Sequence, residues 1–364
     1  MQAAVLHQPA PLQSRPLKLE ELPVPEPGPG EVLLRVEACG VCRTDLHIVT
    51  GELKPQLSPV TPGHQIVGRI EKLGPVLTDV ASPIGGSRQP APGHADHQRE
   101  ERRVAPARLA STIGQRVGVS WLGGVDGTCP LCRRDLENLC DHPTFTGYTV
   151  NGGYAQYALA RADFLVDVPQ DAPAEQIAPL LCAGIIGFRS LRVAGVEPGD
   201  RVGLFGFGAS AHLAIDVLKS WNCEVYVSTR GASHQQLARS LGADWVGEAT
   251  DRPPVQLDRA VTFAPSGQVV LAALASLRKG GIVAINAIHL DQMPAFDYDT
   301  LLWGERQIRS VANMTRTDAR DFVALATRIG IRPRTTLFPL AHVNEALTAI
   351  QDDAIDGAAV VMCT

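Results

Sequence analysis

Two different patterns of apolar and polar residues divide the chain. Up to about residue 170, short apolar and β-branched runs alternate with glycine and proline, which predicts strands such as those at 31–37, 65–71 and 153–159. From about residue 200, apolar strands alternate with helical segments instead. The first pattern is typical of an irregular β-barrel, and the second is typical of a parallel, doubly wound sheet.

The alternating part predicts strands at 201–205, 224–228, 259–263 and 281–286, with helices at 209–220, 233–241 and 267–277. Two more helices, at 318–328 and 342–350, and a strand at 358–362 follow. A chain of 364 residues is too long for one ordinary core. We therefore predict an α/β protein of two domains, with 1–175 and 310–364 in the barrel domain and 176–309 in the parallel-sheet domain.

One segment fits neither pattern. Residues 82–108 are rich in proline, glycine and arginine and contain almost no large apolar residue, which predicts an exposed, flexible insertion in the barrel domain. It could serve as a substrate lid, as a partner-binding arm, or as a metal or anion contact through His94, His97, Arg102 and Arg103. A surface insertion without a function is the alternative.

The overall charge and the N-terminal residues argue against several classes of partner. The formal net charge of −5 gives no general attraction to nucleic acid or to an acidic membrane. The first residues lack a charged start followed by a long apolar stretch, and no run of about 18 consecutive apolar residues occurs. We therefore expect a cytoplasmic protein that acts on small molecules, with neither a nucleic acid nor a membrane as its partner.

Three residues in distant parts of the sequence predict a catalytic metal site. They are Cys42 in Cys-Arg-Thr-Asp-Leu-His, His64 in Pro-Gly-His-Gln, and Cys182 in Leu-Leu-Cys-Ala-Gly. Two thiolates and one imidazole leave the fourth position of a tetrahedral zinc ion open, as a catalytic zinc requires. The chain is therefore predicted to be an enzyme.

A second group of cysteines also has the spacing of a metal site. Cys129 and Cys132 are separated by two residues, and Cys140 follows after seven more. In a chain expected in a reducing compartment, this spacing favours metal binding over disulfides. The other cysteines have no such context and are expected to be small buried apolar residues: Cys39, Cys223 and Cys363.

A glycine-rich turn predicts a dinucleotide site. It directly follows the predicted strand at 201–205 and precedes the predicted helix at 209–220. Glycines there allow the backbone to approach a pyrophosphate, and the helix N-terminus supplies amide donors. An alanine takes the place of the third glycine of the motif. The predicted cofactor-binding residues of the turn are Gly206, Gly208, Ala209, Ser210 and Ala211.

The end of the second strand of this domain predicts the choice of cofactor. An NAD site usually places an acidic residue there to bind the ribose hydroxyls. This chain has Thr229 and Arg230 instead, so no carboxylate repels a 2′-phosphate and a guanidinium is available to bind it. We predict NADP(H) rather than NAD(H). The alternative is that Arg230 stacks on the adenine or points into solvent.

In combination, these motifs resemble those of the zinc-dependent alcohol dehydrogenases of the medium-chain dehydrogenase/reductase family. The resemblance extends over nearly the whole chain except residues 82–108. It implies a GroES-like irregular β-barrel catalytic domain beside a Rossmann domain, with Cys42, His64 and Cys182 as the ligands of the catalytic zinc. It also implies a homo-oligomer, either a dimer or a tetramer.

The resemblance further implies roles for the residues that follow the first zinc ligand. Thr44 would hydrogen-bond the substrate oxygen and begin a proton relay, through the cofactor ribose, to His47 at the surface. Asp45 would be the carboxylate that orients His64. The alternatives are that Thr44 is a turn residue, Asp45 a helix cap and His47 a solvated side chain.

The resemblance also implies a second, structural zinc, which in this family is bound by four cysteines. Asp126 stands where the first of them would be, so the implied ligands are Asp126, Cys129, Cys132 and Cys140. An aspartate oxygen is a harder ligand than a thiolate and would hold zinc less tightly. The alternative is that Asp126 caps a turn and that the cysteines remain partly or wholly free of metal.

Five more positions are assigned by the resemblance alone. Gln65 replaces the glutamate that usually follows the zinc histidine, which makes the surroundings of the zinc less negative and removes a transient ligand. Leu53 and Trp121 would line the substrate pocket. Arg43 and Arg316 would approach the cofactor phosphates, with packing or surface charge as the alternative for each of these four residues.

These observations predict an alcohol dehydrogenase or aldehyde reductase that transfers a hydride between an alcohol or carbonyl substrate and a nicotinamide cofactor. With NADP(H), reduction is the expected direction. The nearest alternative is a zinc-containing polyol dehydrogenase or another carbonyl reductase of the same family. From a different class, the alternative is a non-catalytic, zinc-stabilised protein that binds an acidic partner or RNA through the arginines of 82–108.

Overall fold

The computed structural model describes residues 1–75, 111–355 and 357–364. The predicted insertion at 82–108, with His94, His97, Arg102 and Arg103, therefore lies outside the described residues.

The described strands are β1 (Gln2–Leu6), β2 (Leu17–Glu21), β3 (Glu31–Val41), β4 (Gln65–Leu73), β5 (Arg116–Val119), β6 (Leu122–Gly124), β7 (Thr144–Phe145), β8 (Tyr157–Arg161), β9 (Val166–Asp167), β10 (Arg201–Phe205), β11 (Glu224–Ser228), β12 (Trp245–Gly247), β13 (Leu257–Thr262), β14 (Leu277–Ile285), β15 (Gln307–Ser310), β16 (Thr335–Pro339) and β17 (Ala358–Met362). The described α-helices are α1 (Arg43–Thr50), α2 (Ala174–Ile177), α3 (Ala183–Ala194), α4 (Ala209–Ser220), α5 (Ala232–Ser240), α6 (Gly267–Ser276), α7 (Tyr298–Leu301), α8 (Arg316–Ile329) and α9 (Val343–Gln351).

The barrel domain is built on a mostly antiparallel sheet of seven strands. Its order is β16-β17-β3-β4-β5-β9, and β8 also pairs with β3. The last strand of the chain completes this sheet, because Ala359 and Val361 pair with Val41 and Cys39 of β3. Apolar side chains on the inner faces of β3 and β4, including Leu34 and Ile66, are fully buried. The end of β3 and the start of β4 lie side by side, which brings together the segments that carry Cys42 and His64.

The second sheet has six parallel strands in the order β12-β11-β10-β13-β14-β15. Its central strands are apolar on both faces, since helices cover both sides of such a sheet. Val202, Leu204, Val225 and Val227 are completely buried. β11 and β13 lie on opposite sides of β10, so the crevice at the carboxyl end of β10 is where ligands bind in such sheets.

The fold class predicted from the sequence is confirmed, and some element bounds differ. The strand predicted at 153–159 begins only at Tyr157, because Gly153 and Tyr154 form a loop whose backbone N–H groups bond to the carbonyls of Gly63 and Pro62. The patterns did not predict β12 and β15, which have three and four residues and no fully buried side chain. The helix predicted at 318–328 is α8, which begins earlier because Thr315 caps it.

The tail of the chain contributes to both sheets. β15 is the last strand of the parallel sheet, whereas β16 and β17 belong to the barrel sheet. Between them, α8 packs against α3, and Arg189 on α3 forms an ion pair of 2.6 Å with Asp318 on α8. The predicted domain bounds at 175 and 310 remain a prediction.

Among the described residues, one helical stretch is long and apolar enough to cross a membrane, residues 174–194. However, 72% of the most apolar part of this stretch is buried inside the protein, as in a core helix. This stretch contributes Cys182 and then α3, so burial in the core accounts for its apolar character.

Candidate functional site

The structure brings Cys42, His64 and Cys182 together. Their ligand atoms all lie within 4.8 Å of one another, and Cys42 Sγ is 3.5 Å from His64 Nε2. Cys42 lies between β3 and α1, His64 directly precedes β4, and Cys182 directly precedes α3. Two sulfur atoms and one ring nitrogen at this spacing fit the three protein ligands of a catalytic zinc.

Asp45 fixes two of these ligands in place. Its Oδ1 accepts hydrogen bonds from His64 Nδ1 at 3.0 Å and from the Gly63 N–H at 3.3 Å. Its Oδ2 accepts from the Cys42 N–H at 3.0 Å, as part of a capping box at the start of α1. Asp45 therefore makes the contact with His64 that an orienting carboxylate needs and also caps α1, and the bond at Nδ1 leaves Nε2 of His64 as the atom that faces the two thiols.

The pKa values of the three candidate ligands depend on one another. The pKa of Cys42 is lowered well below its ordinary value by a hydrogen bond with the Cys182 thiol and by the nearby His64 charge, although burial opposes the shift. Burial alone would lower the pKa of His64, but the charges of Asp45 and Cys42, together with hydrogen bonds to both, raise it well above its ordinary value. A lowered pKa favours the negatively charged thiolate of Cys42, which is the form that binds a metal cation.

The other predicted residues of α1 lie on the same short helix. Thr44 is buried, and its side chain hydrogen-bonds to Cys42 and lowers the pKa of that thiol. His47 is 21% exposed, and its Nδ1 is 2.6 Å from Glu52 Oε2. Arg43 lies 3.6 Å from Asp353 Oδ1, and more than half of each of these two side chains is exposed. Thr44 therefore lies beside the cluster and His47 lies nearer to solvent.

Aromatic rings form a wall next to His64. The Trp121 ring contacts His64 edge-on at 5.2 Å between centroids and stacks on Phe145 and Tyr148 at 4.8 and 5.8 Å. Leu53 packs in the same apolar cluster. Gln65 is buried, and its side chain covers Gly40, where an added Cβ would lie 2.8 Å from Gln65 Oε1.

The second predicted metal site is also assembled. One ligand atom from each of its four residues lies within 4.8 Å of the others: Asp126, Cys129, Cys132 and Cys140. Asp126 Oδ1 also accepts the N–H groups of Cys129 and Thr128, which lower the pKa of Asp126 to about 2. Burial and hydrogen bonds with the neighbouring thiols raise the pKa of Cys132 to about 12. One carboxylate and three thiols fit the donor set of a structural zinc, and Asp126 also caps the turn.

Arg316 contacts Glu137, which lies between Cys132 and Cys140 in sequence, and none of its contacts among the described residues is with the glycine turn. Its Nε and Nη2 donate to Glu137 Oε2 at 2.9 and 2.6 Å, and its guanidinium covers the Phe164 ring at 4.5 Å. Glu137 also accepts the Arg316 backbone N–H at 2.6 Å. The structure therefore gives Arg316 a local structural partner, and contact with a cofactor phosphate remains a prediction.

The glycine-rich turn has the shape that a pyrophosphate needs. Gly206 has a φ of 90°, and an added Cβ would lie 2.9 Å from the Ala264 nitrogen. At Gly208, an added Cβ would point into open space, next to the start of α4 at Ala209. Ala211 is fully buried, and the Ser210 carbonyl lies close to Gly187 of α3. The turn is therefore tightly packed on one side and open on the other.

The residues predicted to choose the cofactor lie at the end of β11. Thr229 is buried, and its N–H donates to the Gly247 carbonyl at 3.1 Å. Arg230 is exposed, and its side chain forms no ion pair or hydrogen bond within the described parts of the chain. The nearby carboxylate of Glu248 accepts from Gln235 at 2.8 Å. The guanidinium of Arg230 is therefore available to a ligand.

Sequence reasoning missed several residues of the site. Phe145 and Tyr148 complete the aromatic wall, Asn313 accepts the Trp121 indole N–H at 3.1 Å, and Glu137 holds Arg316. The partners are separated by 24 to 192 positions in sequence, so no local pattern could have paired them. The prediction that Cys39, Cys223 and Cys363 are buried is confirmed.

The structure combines a parallel sheet that has a glycine-rich turn with a barrel that presents two cysteines and a histidine. This combination is that of a two-domain oxidoreductase. The protein-family model of the alcohol dehydrogenase GroES-like domain matches residues 28–86 and 103–170 of the sequence. The chain is 42% identical to the probable alcohol dehydrogenase AdhA of Mycobacterium tuberculosis, with 100% of this chain and 97% of the relative covered. It therefore belongs to the alcohol dehydrogenases of the medium-chain dehydrogenase/reductase family.

Solved structures share this fold over nearly the whole chain. The acetophenone reductase of Geotrichum candidum in complex with NAD superposes with a TM-score of 0.79 at 25% identity, with 99% of this chain and 96% of that chain covered. CAD from Helicobacter pylori, complexed with NADP(H), gives a TM-score of 0.80 at 21% identity, with coverage of 99% and 97%. The second likeness shows the fold alone.

Proposed function

We propose that this protein is a zinc-dependent alcohol dehydrogenase that works as an aldehyde reductase with NADP(H). The observation that carries this proposal is the Cys42, His64 and Cys182 cluster, whose ligand atoms lie within 4.8 Å of one another. Cys182 directly precedes α3, and α3 packs against α4, which begins at the glycine-rich turn. One helix therefore connects the candidate metal site to the candidate cofactor site.

The cluster would hold the catalytic zinc, which supplies a Lewis acid for the oxygen of an alcohol or carbonyl substrate. Asp45 keeps the His64 ring oriented for this role. Trp121 keeps an apolar surface beside the metal ligands, which limits the access of water to the path of hydride transfer. The nicotinamide of the cofactor would donate or accept the hydride.

Thr44 and His47 would move the proton. Thr44 is buried and contacts the Cys42 thiol, so its hydroxyl can reach an oxygen held at the cluster. His47 lies three positions further along α1, on the same side of the helix, and is partly exposed next to Glu52. Thr44 would take up or supply the proton at the reacting oxygen, and His47 would exchange it with solvent.

Binding of NADP(H) rests on Thr229 and Arg230. No carboxylate ends β11, and the Arg230 side chain has no partner within the described residues. A guanidinium binds phosphate strongly. The solved relatives carry NAD in one case and NADP(H) in another, so the fold does not decide the choice.

Asp126, Cys129, Cys132 and Cys140 would hold a second, structural zinc. Their donor atoms converge within 4.8 Å, in a segment without regular strands between β6 and β7. Metal binding would stabilise this segment, because the free energy of metal binding adds to the free energy of folding. We therefore include two zinc ions per chain in the proposed function.

A second copy of this chain is the proposed protein partner. Within the described residues, β15 pairs only with β14 and forms one edge of the parallel sheet. Nearby apolar side chains are unusually exposed, with Ile288 and Trp303 at 62% and Tyr298 at 54%. Joining two such edges would cover both the unpaired backbone and these side chains.

A cytoplasmic location is also proposed, since all eight cysteines are free in the structure.

The proposed function is tested on a preparation whose zinc content has been measured. Short, branched and aromatic aldehydes are assayed with NADPH and with NADH. We expect reduction with a preference for NADPH, and we expect Cys42→Ser to abolish turnover while NADPH still binds. Cys223→Ser, at a buried thiol in the other domain, is the matched control. Inactivity of fully zinc-loaded protein on every carbonyl compound would overturn the proposal.

A further inference from the structure

The Trp121 indole has one hydrogen bond that its stacking does not explain. Its Nε1–H donates to Asn313 Oδ1 at 3.1 Å, across 192 positions of sequence. Phe145 and Tyr148 stack on the ring, with interplanar angles of 18° and 21°. Stacking of this kind restrains the tilt of a ring more than it restrains small in-plane shifts, because a flat face stays in contact when the ring slides. The bond to Asn313 restrains those in-plane shifts.

Asn313 is itself held at both ends of its amide. Its Nδ2 donates to the Asn138 carbonyl at 2.9 Å, and the Asn138 side chain donates in return to the Ala312 carbonyl at 2.8 Å. The two asparagines thus form a reciprocal clamp, which fixes which end of the Asn313 amide accepts the indole N–H. The backbone of Asn313 has a φ of 53°, a left-handed conformation that asparagine tolerates better than most residues.

The clamp places a fixed acceptor next to the candidate reaction centre. The Trp121 ring also contacts the candidate metal ligand His64, with 5.2 Å between the ring centroids and 77° between the ring planes. Any in-plane rotation of the indole would change the shape of the surface next to the metal ligand. A flat aromatic wall admits planar and aliphatic substrates differently, so its position affects substrate choice more than it affects the chemical step.

We propose that Asn313 is a positioning residue for substrate choice, which acts by fixing the in-plane orientation of Trp121 beside His64. This inference rests on the proposed function, because it assumes that carbonyl substrates bind at this wall. Asn313 contacts neither candidate metal ligands nor the glycine-rich turn among the interactions of the described residues. Its effect therefore passes through the indole.

The test compares variants by the ratio of kcat/KM for benzaldehyde to kcat/KM for acetaldehyde. Asn313→Gly removes the acceptor and suits a positive φ, and we expect it to change the ratio about fivefold, the effect of one ordinary hydrogen bond. Asn222→Gly is the matched control, because Asn222 also has a positive φ, of 57°, but is exposed and lies between α4 and β11 of the parallel-sheet domain. The control should leave the ratio within about twofold, less than the effect of one hydrogen bond.

A second comparison shows whether the effect passes through the indole. Trp121→Phe keeps an aromatic ring for stacking but has no N–H, so Asn313→Gly should then change the ratio by less than about twofold. Asn313→Asp retains an acceptor for the indole but loses the donor to Asn138, so it should resemble the wild type more closely than Asn313→Gly does. If Asn313 acted only through its bond to Asn138, Asn313→Asp would instead differ more from the wild type than Asn313→Gly does, because a carboxylate oxygen would face the Asn138 carbonyl.

Tryptophan fluorescence gives a readout that needs no activity. Asn313→Gly should shift the emission of the zinc-loaded protein, and the shift should vanish in the Trp121→Phe background. An unchanged ratio in an active Asn313→Gly variant, or the same change in both backgrounds, overturns this inference and leaves the proposed function intact. Inactivity of the zinc-loaded wild type on these two aldehydes and on every other carbonyl compound overturns the proposed function, and the role in substrate choice falls with it.

Discussion

Asp45 Oδ1 lies 3.0 Å from His64 Nδ1, and both side chains are completely inaccessible to solvent. The same carboxylate accepts the backbone N–H of Cys42, so one residue connects two candidate zinc ligands that are 22 positions apart. Because metal-bound imidazoles depend on such a partner for their orientation, this contact explains why α1 must follow the first ligand directly.

Removing the charge of Asp45 should weaken zinc binding at the catalytic site. We expect Asp45→Asn to lower the zinc affinity by about 10- to 100-fold, the usual effect of losing a carboxylate that orients a ligand. Competition with a chelator of known affinity measures this change. Asp353→Asn, at an exposed aspartate, should not alter it. Equal zinc affinity of wild type and Asp45→Asn would remove the orienting role.

Removing the Arg230 guanidinium should affect one cofactor and spare the other. We expect Arg230→Ala to raise KM for NADPH by about tenfold or more, since a charge-assisted bond to phosphate is lost, while KM for NADH stays within about twofold. Arg239→Ala, at an exposed arginine on α5, is the matched control. Steady-state kinetics with both cofactors provide the measurement, and a parallel loss with NADH would exclude recognition of a 2′-phosphate.

Asp126 should contribute to the second zinc site and to stability above acidic pH. The N–H groups of Cys129 and Thr128 lower its pKa from 3.8 to about 2. Because the folded pKa lies below the unfolded one, the stabilisation is present above about pH 4 and is lost as the pH falls toward 2.

We therefore expect Asp126→Asn to release the second zinc more readily and to lower the thermal midpoint at pH 7, with a smaller difference from the wild type below about pH 4. Zinc analysis after limited chelation and thermal melts at several pH values measure both effects. Asp135→Asn, at a neighbouring aspartate with a left-handed backbone, is the control. Retention of both zinc ions by Asp126→Asn would show that the three cysteines suffice.

A charge at the exposed edge of the parallel sheet should disrupt the oligomer. We expect the wild type to be at least a dimer and Trp303→Asp to be mostly monomeric, because a carboxylate would be buried without a partner at the joined edges. Light scattering after size-exclusion chromatography measures the mass of each. Ile113→Asp alters a similarly exposed apolar residue in the barrel domain and should leave the mass unchanged. A monomeric wild type at micromolar concentration contradicts the expectation.

The sequence predicted the parts of this molecule whose cause is local. The strand at 201–205, the glycine turn and α4 follow from apolar runs and from glycines at positions that need them, and their bounds agree with the structure. Motif context and spacing also pointed to the cysteines and the histidine of both clusters, and the family resemblance added Asp126; the fold brings the ligand atoms of each cluster within 4.8 Å of one another.

Features that depend on long-range packing could not be predicted in this way. The family resemblance suggested a phosphate contact for Arg316, but its partner Glu137 lies 179 positions away and is brought near only by the docking of α8. The bond from Trp121 to Asn313 likewise depends on how the end of the parallel sheet meets the barrel. No periodicity or motif encodes such a contact, because its two halves belong to different elements.

The most direct test of the catalytic site is anomalous diffraction at the zinc edge from crystals of the zinc-loaded protein. We predict a peak about 2.3 Å from the sulfur atoms of Cys42 and Cys182 and about 2.0 to 2.1 Å from Nε2 of His64. Zinc-replete crystals without a peak among these three atoms, or with zinc bound only at Asp126 and the neighbouring cysteines, would contradict the proposed catalytic site.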